Sequence, residues 1–99
     1  MIIAEVAIFP TSEGTSVSRY VKRALQVLED SGLDHESSAM ATCIQAESLP
    51  EIFDVVEKMH RAIADMDAER IHIDLRVDHR RDKNASMQSK LNAIGKERA

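Results

Sequence analysis

Histidine, cysteine and carboxylate side chains are the residues of this chain best suited to metal binding or catalysis. The histidines and the one cysteine are His35, His60, His72, His79 and Cys43. They show neither the H-x-x-x-H spacing nor the cysteine pair of a zinc site. His72 and Asp74 share one strand face, where an ion pair is favoured over the alternative of a metal-binding pair. Cys43 has no histidine nearby in sequence, and no carboxylate spacing marks an acid/base pair, so we expect no enzyme.

A hydroxyl-rich segment, 11–16, leads into a predicted helix. A helix N-terminus offers unpaired N–H groups, so an anion or hydroxyl site is one interpretation. The favoured interpretation is that Thr15 or Ser16 caps the helix. The segment lacks the Gly-Lys-Ser/Thr sequence of a phosphate-binding loop. Tyr20 lies on the apolar stripe, so its ring is expected in the core. Its hydroxyl then needs a partner, either a ligand or a buried carboxylate such as Glu5.

Hydrophobic periodicity places these residues on six or seven elements. Alternation over 70–78 predicts a half-buried strand, and largely apolar faces predict a central strand over 2–9. Stripes at three- and four-residue spacing predict two amphipathic helices, the second with an S-x-x-E capping box at Ser48. The middle stretch is interpreted as two short strands with a turn near Met40, or alternatively as one bent strand. The predicted helices span residues 16–31, 49–67 and 86–95, and the two middle strands span residues 34–39 and 42–47.

The resulting order, β-α-β-β-α-β plus a terminal helix, predicts an α+β, ferredoxin-like fold. A four-stranded antiparallel sheet would carry two helices on one face, with a short C-terminal helix in addition. The other face would expose Ile3 and Phe9 with no core helix over it. Because exposed apolar patches commonly mark interfaces, we expect a homo-oligomer formed through the open face, a sheet edge or the C-terminal helix. The charged loop of Arg80, Arg81 and Asp82 is assigned to a subunit contact or to loop structure.

Length and composition limit the classes of function. The chain has 99 residues, which predicts a single domain, and 13 basic against 17 acidic side chains give a net charge of −4. This balance disfavours nucleic-acid binding and a polybasic membrane anchor. One cysteine allows no internal disulfide. No signal peptide or membrane-spanning run is visible, so the cytoplasm is the expected compartment.

Several short segments together resemble a known family. They are Ile3-Ala4-Glu5-Val6, then Gly14-Thr15-Ser16-Val17-Ser18-Arg19-Tyr20-Val21, Leu28-Glu29-Asp30-Ser31-Gly32-Leu33, Met40-Ala41-Thr42 and Val77-Asp78-His79-Arg80-Arg81-Asp82-Lys83. In this order and length, from Met1 to about Leu91, they resemble the thiamine-binding protein family of small ferredoxin-like proteins. The family often has glycine at Ala41 and threonine-proline at Ser38-Ala39, so the hairpin is where this chain departs most.

The resemblance implies cytoplasmic, non-catalytic binding of thiamine (vitamin B1) or its hydroxymethylpyrimidine part, with no other cofactor. It also implies dimers that pair into tetramers through their sheets. Within the matching motifs, polar contacts to the ligand are expected from Glu5, Ser18 and Thr42. Met40 and Tyr20 are expected to line its rings, and Ser16 to meet the hydroxyethyl end or a phosphate. The alternative is an oligomeric interaction or regulatory module without a small-molecule ligand.

Overall fold

The computed structural model describes residues 1–97 and contains four strands and three helices. The sheet has the order β2-β3-β1-β4, and every neighbouring pair is antiparallel. This arrangement confirms the ferredoxin-like α+β fold and the two short middle strands. In chain order the elements are β1 (Ile2–Pro10), α1 (Ser18–Ser31), β2 (Asp34–Ser37), β3 (Thr42–Ala46), α2 (Leu49–Ala64), β4 (Ile71–His79) and α3 (Met87–Ala93).

Strand β1 is central, and its two neighbours differ in length. It pairs with β4 along its whole length, from Ile2↔His79 to Pro10↔Ile71. Its pairing with β3 stops earlier, at Val6↔Thr42. The second half of β1 therefore has a strand partner on one side only.

Helices α1 and α2 cover one face of the sheet, here called the helix face. The even-numbered residues of β1 point into it and are buried, because successive strand residues alternate between faces. They pack against stripes from both helices at the spacing that one helical face requires. The fully buried side chains include Tyr20, Leu28, Ile44, Ile52, Met59 and Ile63.

The helix ends follow local rules with one exception. Helix α1 begins at Ser18 with Val17 at the N-cap and no side-chain cap, so the predicted capping by Thr15 or Ser16 is wrong. It ends at Ser31, and the Gly32 that follows has a left-handed backbone (φ 76°), which favours glycine. At the start of α2, the Glu51 carboxylate accepts the Ser48 backbone N–H (3.2 Å), as the predicted capping box requires.

The second sheet face, here called the open face, is crossed by α3. The backbone N–H of Met87 donates to Gln45 Oε1 (2.7 Å), and Lys90 Nζ lies 2.7 Å from Asp78 Oδ2. The two core helices leave this face uncovered, as expected, and the short terminal helix α3 lies over part of it. Of the helices described in residues 1–97, none has the length and apolarity needed to cross a membrane.

Strand β4 forms one edge of the sheet. Its apolar side chains face the helix side, but α2 covers them incompletely, and Ile73 and Val77 each remain 39% exposed. No strand of the described chain pairs with its outer edge. A nine-residue edge strand without a proline or a bulge is an open template for another strand.

Candidate functional site

A pocket opens on the helix face where β1 extends past the end of β3. Its volume is about 350 Å³, within the range of small-ligand sites. The walls are apolar side chains of β1 and α1, among them Val6, Val21 and Ala24, and Met59 of α2 contributes as well. The turn between β2 and β3, residues 38–41, forms the rim. This helix-face pocket is thus a product of unequal strand lengths.

Few polar groups reach the pocket, and each has a defined position. Thr42 is 5% exposed, and its Oγ1 lies 3.0 Å from Ser37 Oγ. Ser38 closes the turn by donating from both its backbone N–H (2.9 Å) and its hydroxyl (3.0 Å) to the carbonyl of Ala41. Among the described residues, those that line the pocket carry no charged side chain. The pocket therefore suits a neutral ring with a few hydrogen-bonding groups.

The backbone of Ile8 adds a donor and an acceptor. The Thr11 N–H donates to the Arg70 carbonyl (2.7 Å), a pair in register with the β1–β4 ladder. By the alternation of antiparallel strands, odd residues of β1 bond to β4 and even residues face β3. The ladder to β3 ends at Val6↔Thr42, so the N–H and C=O of Ile8 face the pocket beyond it.

The structure brings together some of the predicted ligand residues. Met40 and Thr42 both line the helix-face pocket, with Met40 exposed at the rim and Thr42 buried. Ser16 and Ser18 are exposed and flank Val17, which lines the same pocket. Sequence patterns did not single out Ile8, Val21 or Ala24, because they are ordinary core positions whose exposure to a pocket depends on where β3 stops.

Tyr20 is held in a different cluster. Its ring is buried, and its hydroxyl donates to Glu13 Oε1 (3.0 Å) and accepts from Arg19 (2.6 Å). Burial and the hydrogen bond to Glu13 raise the pKa of this hydroxyl. The suggested pairing with Glu5 is wrong, because Glu5 lies on the open face while α1 packs on the helix face.

Glu5 belongs to a charged row on the open face. Its carboxylate lies 2.6 Å from the Arg76 guanidinium on β4, which raises the pKa of Arg76. Cys43 lies beside Glu5 across the β1–β3 ladder and opposite Glu36 on β2. Burial raises the pKa of the Cys43 thiol, and the carboxylates of Glu5 and Glu36 raise it further. The thiol is therefore poorly ionised at neutral pH and a weak nucleophile.

A second cavity, of about 440 Å³, lies between α3 and the open face. We call it the open-face cavity; its lining includes Ile3, Cys43, Ser37, Met87 and Lys90. The sequence did not predict it, since the position of α3 depends on the contacts of Met87 and Lys90 with the sheet.

The other histidine and carboxylate side chains considered from the sequence make pairwise contacts. Within residues 1–97, no group of three or more histidine, cysteine or carboxylate side chains is arranged to hold a metal ion. His72 Nε2 lies 3.0 Å from Asp74 Oδ2, the pairing favoured from the sequence, and the centre of its ring lies 5.2 Å from that of Phe9, with the ring planes tilted by 33°. Arg80 and Asp82 pair with each other, which lowers the pKa of Asp82.

The chain is similar to several uncharacterised proteins over nearly its whole length. It is 37% identical to the UPF0045 protein MJ1052 of Methanocaldococcus jannaschii, over 95% of this chain and 92% of that protein. The solved structure of MJ1052 superposes with a TM-score of 0.88 and covers 95% of both chains. The UPF0045 protein YqgV of Bacillus subtilis is 33% identical over 97% of this chain and 96% of that protein.

A further structural neighbour supports the fold alone. It is a Thermotoga maritima protein named for thiamine biosynthesis or salvage, 19% identical, with a TM-score of 0.81 over 94% of this chain and 97% of that one. The family model described as thiamine-binding protein matches residues 4–95. Sequence motifs, fold and family model agree, and the chain belongs to the thiamine-binding protein family.

Proposed function

We propose that residues 1–99 form a single thiamine-binding-type domain that binds thiamine, or its hydroxymethylpyrimidine part, in the helix-face pocket. The observation that carries the proposal is an uncharged pocket of about 350 Å³ in a chain of this family. The name of the Thermotoga maritima neighbour points to the same ligand class. The proposed role is salvage, buffering or delivery of the vitamin in the cytoplasm.

The pyrimidine ring matches the polar groups of the pocket. An aminopyrimidine presents a donor and acceptors along one edge. The C=O and N–H of Ile8, which face the pocket in the plane of the sheet, complement such an edge. The Thr42 hydroxyl adds a third hydrogen-bonding group, and Val21 and Ala24 supply apolar contact for the ring faces.

The cationic thiazolium ring is placed at the mouth of the pocket. No charged side chain of the described residues lines the interior, so a permanent cation is more stable at the rim, in contact with water. Met40 is 87% exposed at this rim, and its polarizable thioether suits a cationic ring. The pyrimidine part alone is therefore expected to keep most of the affinity.

The other predicted ligand residues receive different roles. Ser16 and Ser18, beside the uncapped start of α1, are proposed to meet the hydroxyethyl end or a phosphate. Glu5 lies on the open face and pairs with Arg76, so we assign it no contact with a ligand in the helix-face pocket. For Tyr20 we propose a supporting role, since Glu13 and Arg19 already occupy its hydroxyl.

Binding without turnover is proposed because the pocket hydroxyl is not activated. Thr42 Oγ1 has the Ser37 hydroxyl as its neighbour rather than a histidine or a carboxylate. We also propose that the chain is a homo-oligomer, a dimer or a dimer of dimers (homotetramer), joined through sheet faces or edges. The exposed Ile73 and Val77 on β4 support an interface at that edge of the sheet.

The experiment is thermal unfolding with and without thiamine, hydroxymethylpyrimidine and thiamine phosphate, followed by calorimetric titration. At a ligand concentration about 100 times Kd, stabilisation of about 2.7 kcal/mol raises the midpoint by several degrees. Thr42→Val is expected to weaken binding by about two- to tenfold, because one hydrogen bond to the ligand is lost.

Ser37→Ala is the matched control. Both variants lose the same Ser37–Thr42 hydrogen bond, but only Thr42 lines the helix-face pocket, whereas Ser37 lines the open-face cavity. Equal loss of affinity in Ser37→Ala and Thr42→Val would show that the Ser37–Thr42 hydrogen bond, rather than a contact of Thr42 with the ligand, carries the effect. No stabilisation by any of the three compounds at millimolar concentration would refute the ligand and favour the alternative, an oligomeric interaction module.

A further inference from the structure

We propose that the open-face cavity, between α3 and the sheet, is a second small-molecule site that takes an uncharged and largely apolar ring. Its volume of about 440 Å³ lies within the range of small-ligand sites. The sheet separates this cavity from the helix-face pocket, so the second site does not depend on thiamine. Its occupant follows from how α3 is attached, from the apolar walls and from the balance of charge in the lining.

Helix α3 is attached to the sheet by two polar contacts rather than by close packing. The Met87 backbone N–H donates to Gln45 Oε1 (2.7 Å), and the long Lys90 side chain reaches Asp78 Oδ2 (2.7 Å). Within α3 only Met87 is buried, and Leu91, one turn later, is half-buried. Protein interiors are normally close-packed, so the space beneath this helix is one that a ligand can fill.

The chain that follows α3 borders the far end of the cavity. Gly95 has a left-handed backbone (φ 72°), and the Lys96 backbone N–H donates back to the Leu91 carbonyl (2.8 Å). This turn brings Lys96 and Glu97 into the lining. The cavity is thus bordered by sheet, helix and turn, and a protein segment could enter it only by displacing α3. This enclosure favours a small molecule as the occupant.

Apolar groups line the space between the sheet and the helix. Ile3 on β1 and Cys43 on β3 form the floor, and Met87 and Leu91 of α3 form the opposite wall. Burial and neighbouring carboxylates raise the pKa of the Cys43 thiol, so this group is uncharged at neutral pH. A flat ring between floor and wall would bury both of its faces, and its transfer out of water is favourable.

The charged side chains of the lining balance one another. Glu36 and Glu97 are acidic, Lys90 and Lys96 are basic, and Lys90 is already paired with Asp78. A charged ligand would therefore lose its hydration without a net electrostatic gain. An uncharged ring with one or two hydrogen-bonding groups fits this lining best.

Indole is a suitable probe because the chain contains no tryptophan, so fluorescence excited beyond the tyrosine absorption band comes from the ligand alone. Titration of indole with the full chain is expected to reach saturation. Indole-3-acetate and tryptamine carry a negative and a positive charge on the same ring, and we expect each to bind at least about tenfold more weakly. Equal or tighter binding of either charged compound would overturn the assignment of an uncharged ligand.

Protection of Cys43 from iodoacetamide locates the probe. Cys43 is the one cysteine of the chain and lines the open-face cavity, so alkylation reports on this cavity alone. At an indole concentration about ten times Kd, the alkylation rate is expected to fall about tenfold, because only the unoccupied fraction reacts. An alkylation rate that saturating indole leaves unchanged would overturn the proposal.

Two matched leucine variants compare the two cavities. Leu91→Ala removes part of the wall beneath α3 and is expected to weaken protection of Cys43 about five- to tenfold. Leu25→Ala is the same change in the lining of the helix-face pocket and is expected to leave this protection unchanged. Equal effects of the two changes would place indole elsewhere and overturn the proposal.

Cys43→Leu tests the site without altering α3. The larger side chain fills the floor of the cavity, so indole binding seen by fluorescence is expected to be lost, and retained affinity would contradict the site. Thermal unfolding without ligand shows whether each variant is folded.

Competition with thiamine keeps the two proposed sites distinguishable. Among the described residues, the linings of the two cavities have only Ser38 in common. Saturating thiamine is therefore expected to leave the affinity for indole unchanged, and displacement of indole by thiamine would overturn the proposal of a second site. Absence of thiamine binding would leave the indole result intact, so the two proposals fail separately.

Discussion

Ser12 is predicted to be the one hydroxyl of the 11–16 loop whose removal destabilises the protein. Its Oγ accepts the backbone N–H groups of Glu69 (3.1 Å) and Arg70 (3.0 Å) and donates to Glu13 Oε2 (2.8 Å). It thereby joins the loop after β1 to the loop before β4. Through Glu13 it also steadies the carboxylate that accepts the Tyr20 hydroxyl.

The expected cost of Ser12→Ala follows from these contacts. Each neutral hydrogen bond contributes about 0.5–1.5 kcal/mol, and water replaces part of the loss because the groups are exposed. The free energy of unfolding should therefore fall by about 1–2 kcal/mol. For a domain of this size, that lowers the thermal midpoint by about 4–8 °C per kcal/mol.

The assay is urea and thermal unfolding at one fixed protein concentration, since association would shift both transitions. Thr15→Ala is the control, because Thr15 is exposed in the same loop and makes no side-chain hydrogen bond among the described residues. Equal stability of the two variants would refute the assignment of the inter-loop link to Ser12.

Two further predictions concern the open face. The hydrogen bond and the charge of Lys90 lower the pKa of Asp78. The pair of Lys90 and Asp78 therefore stabilises α3 at neutral pH, and this stabilisation is lost as the pH falls through the lowered pKa of Asp78. Asp78→Asn should release α3 at neutral pH, seen as faster trypsin cleavage after Lys90, and an unchanged rate would contradict this. The raised pKa of Cys43 predicts slower alkylation by iodoacetamide near neutral pH than in the urea-unfolded chain. Glu5→Gln should speed the reaction in the folded protein, and an equal or slower rate would argue against the electrostatic cause.

The fold is predictable from the sequence because hydrophobic periodicity identifies the strands and helices, and their order along the chain identifies the topology. The alternation of 70–78 and the stripes of both long helices match β4, α1 and α2 closely. The predicted start of α1, at 16, lies two residues before the observed start at Ser18, because a run of hydroxyl side chains resembles a cap whether or not it bonds to the helix. The predicted end of α2, at 67, passed beyond Ala64 into a turn in which Asp67 has a positive φ of 65°.

The candidate site was predictable only in part. All three residues of the motif Met40-Ala41-Thr42 line the pocket, because the motif lies at the hairpin that forms the pocket rim. The remaining lining depends on how far β3 runs beside β1, which no residue pattern encodes. The Tyr20 ring lies in the core as expected, but its hydroxyl bonds to Glu13 in the preceding loop rather than to Glu5. A residue seven positions away reaches it more readily than one on the opposite sheet face.

Because the β1–β3 ladder ends early, the length of the β2–β3 hairpin determines the volume of the helix-face pocket. Two more residues in each of β2 and β3 would bring a backbone partner opposite Ile8 and fill the gap with strand. One residue fewer on each side would open Val6 as well. Within this architecture, insertions and deletions in the hairpin thus set pocket size in discrete steps of one ladder pair. A change of hairpin length would therefore alter the size of ligand that fits, while the core packing of both helices stays as it is.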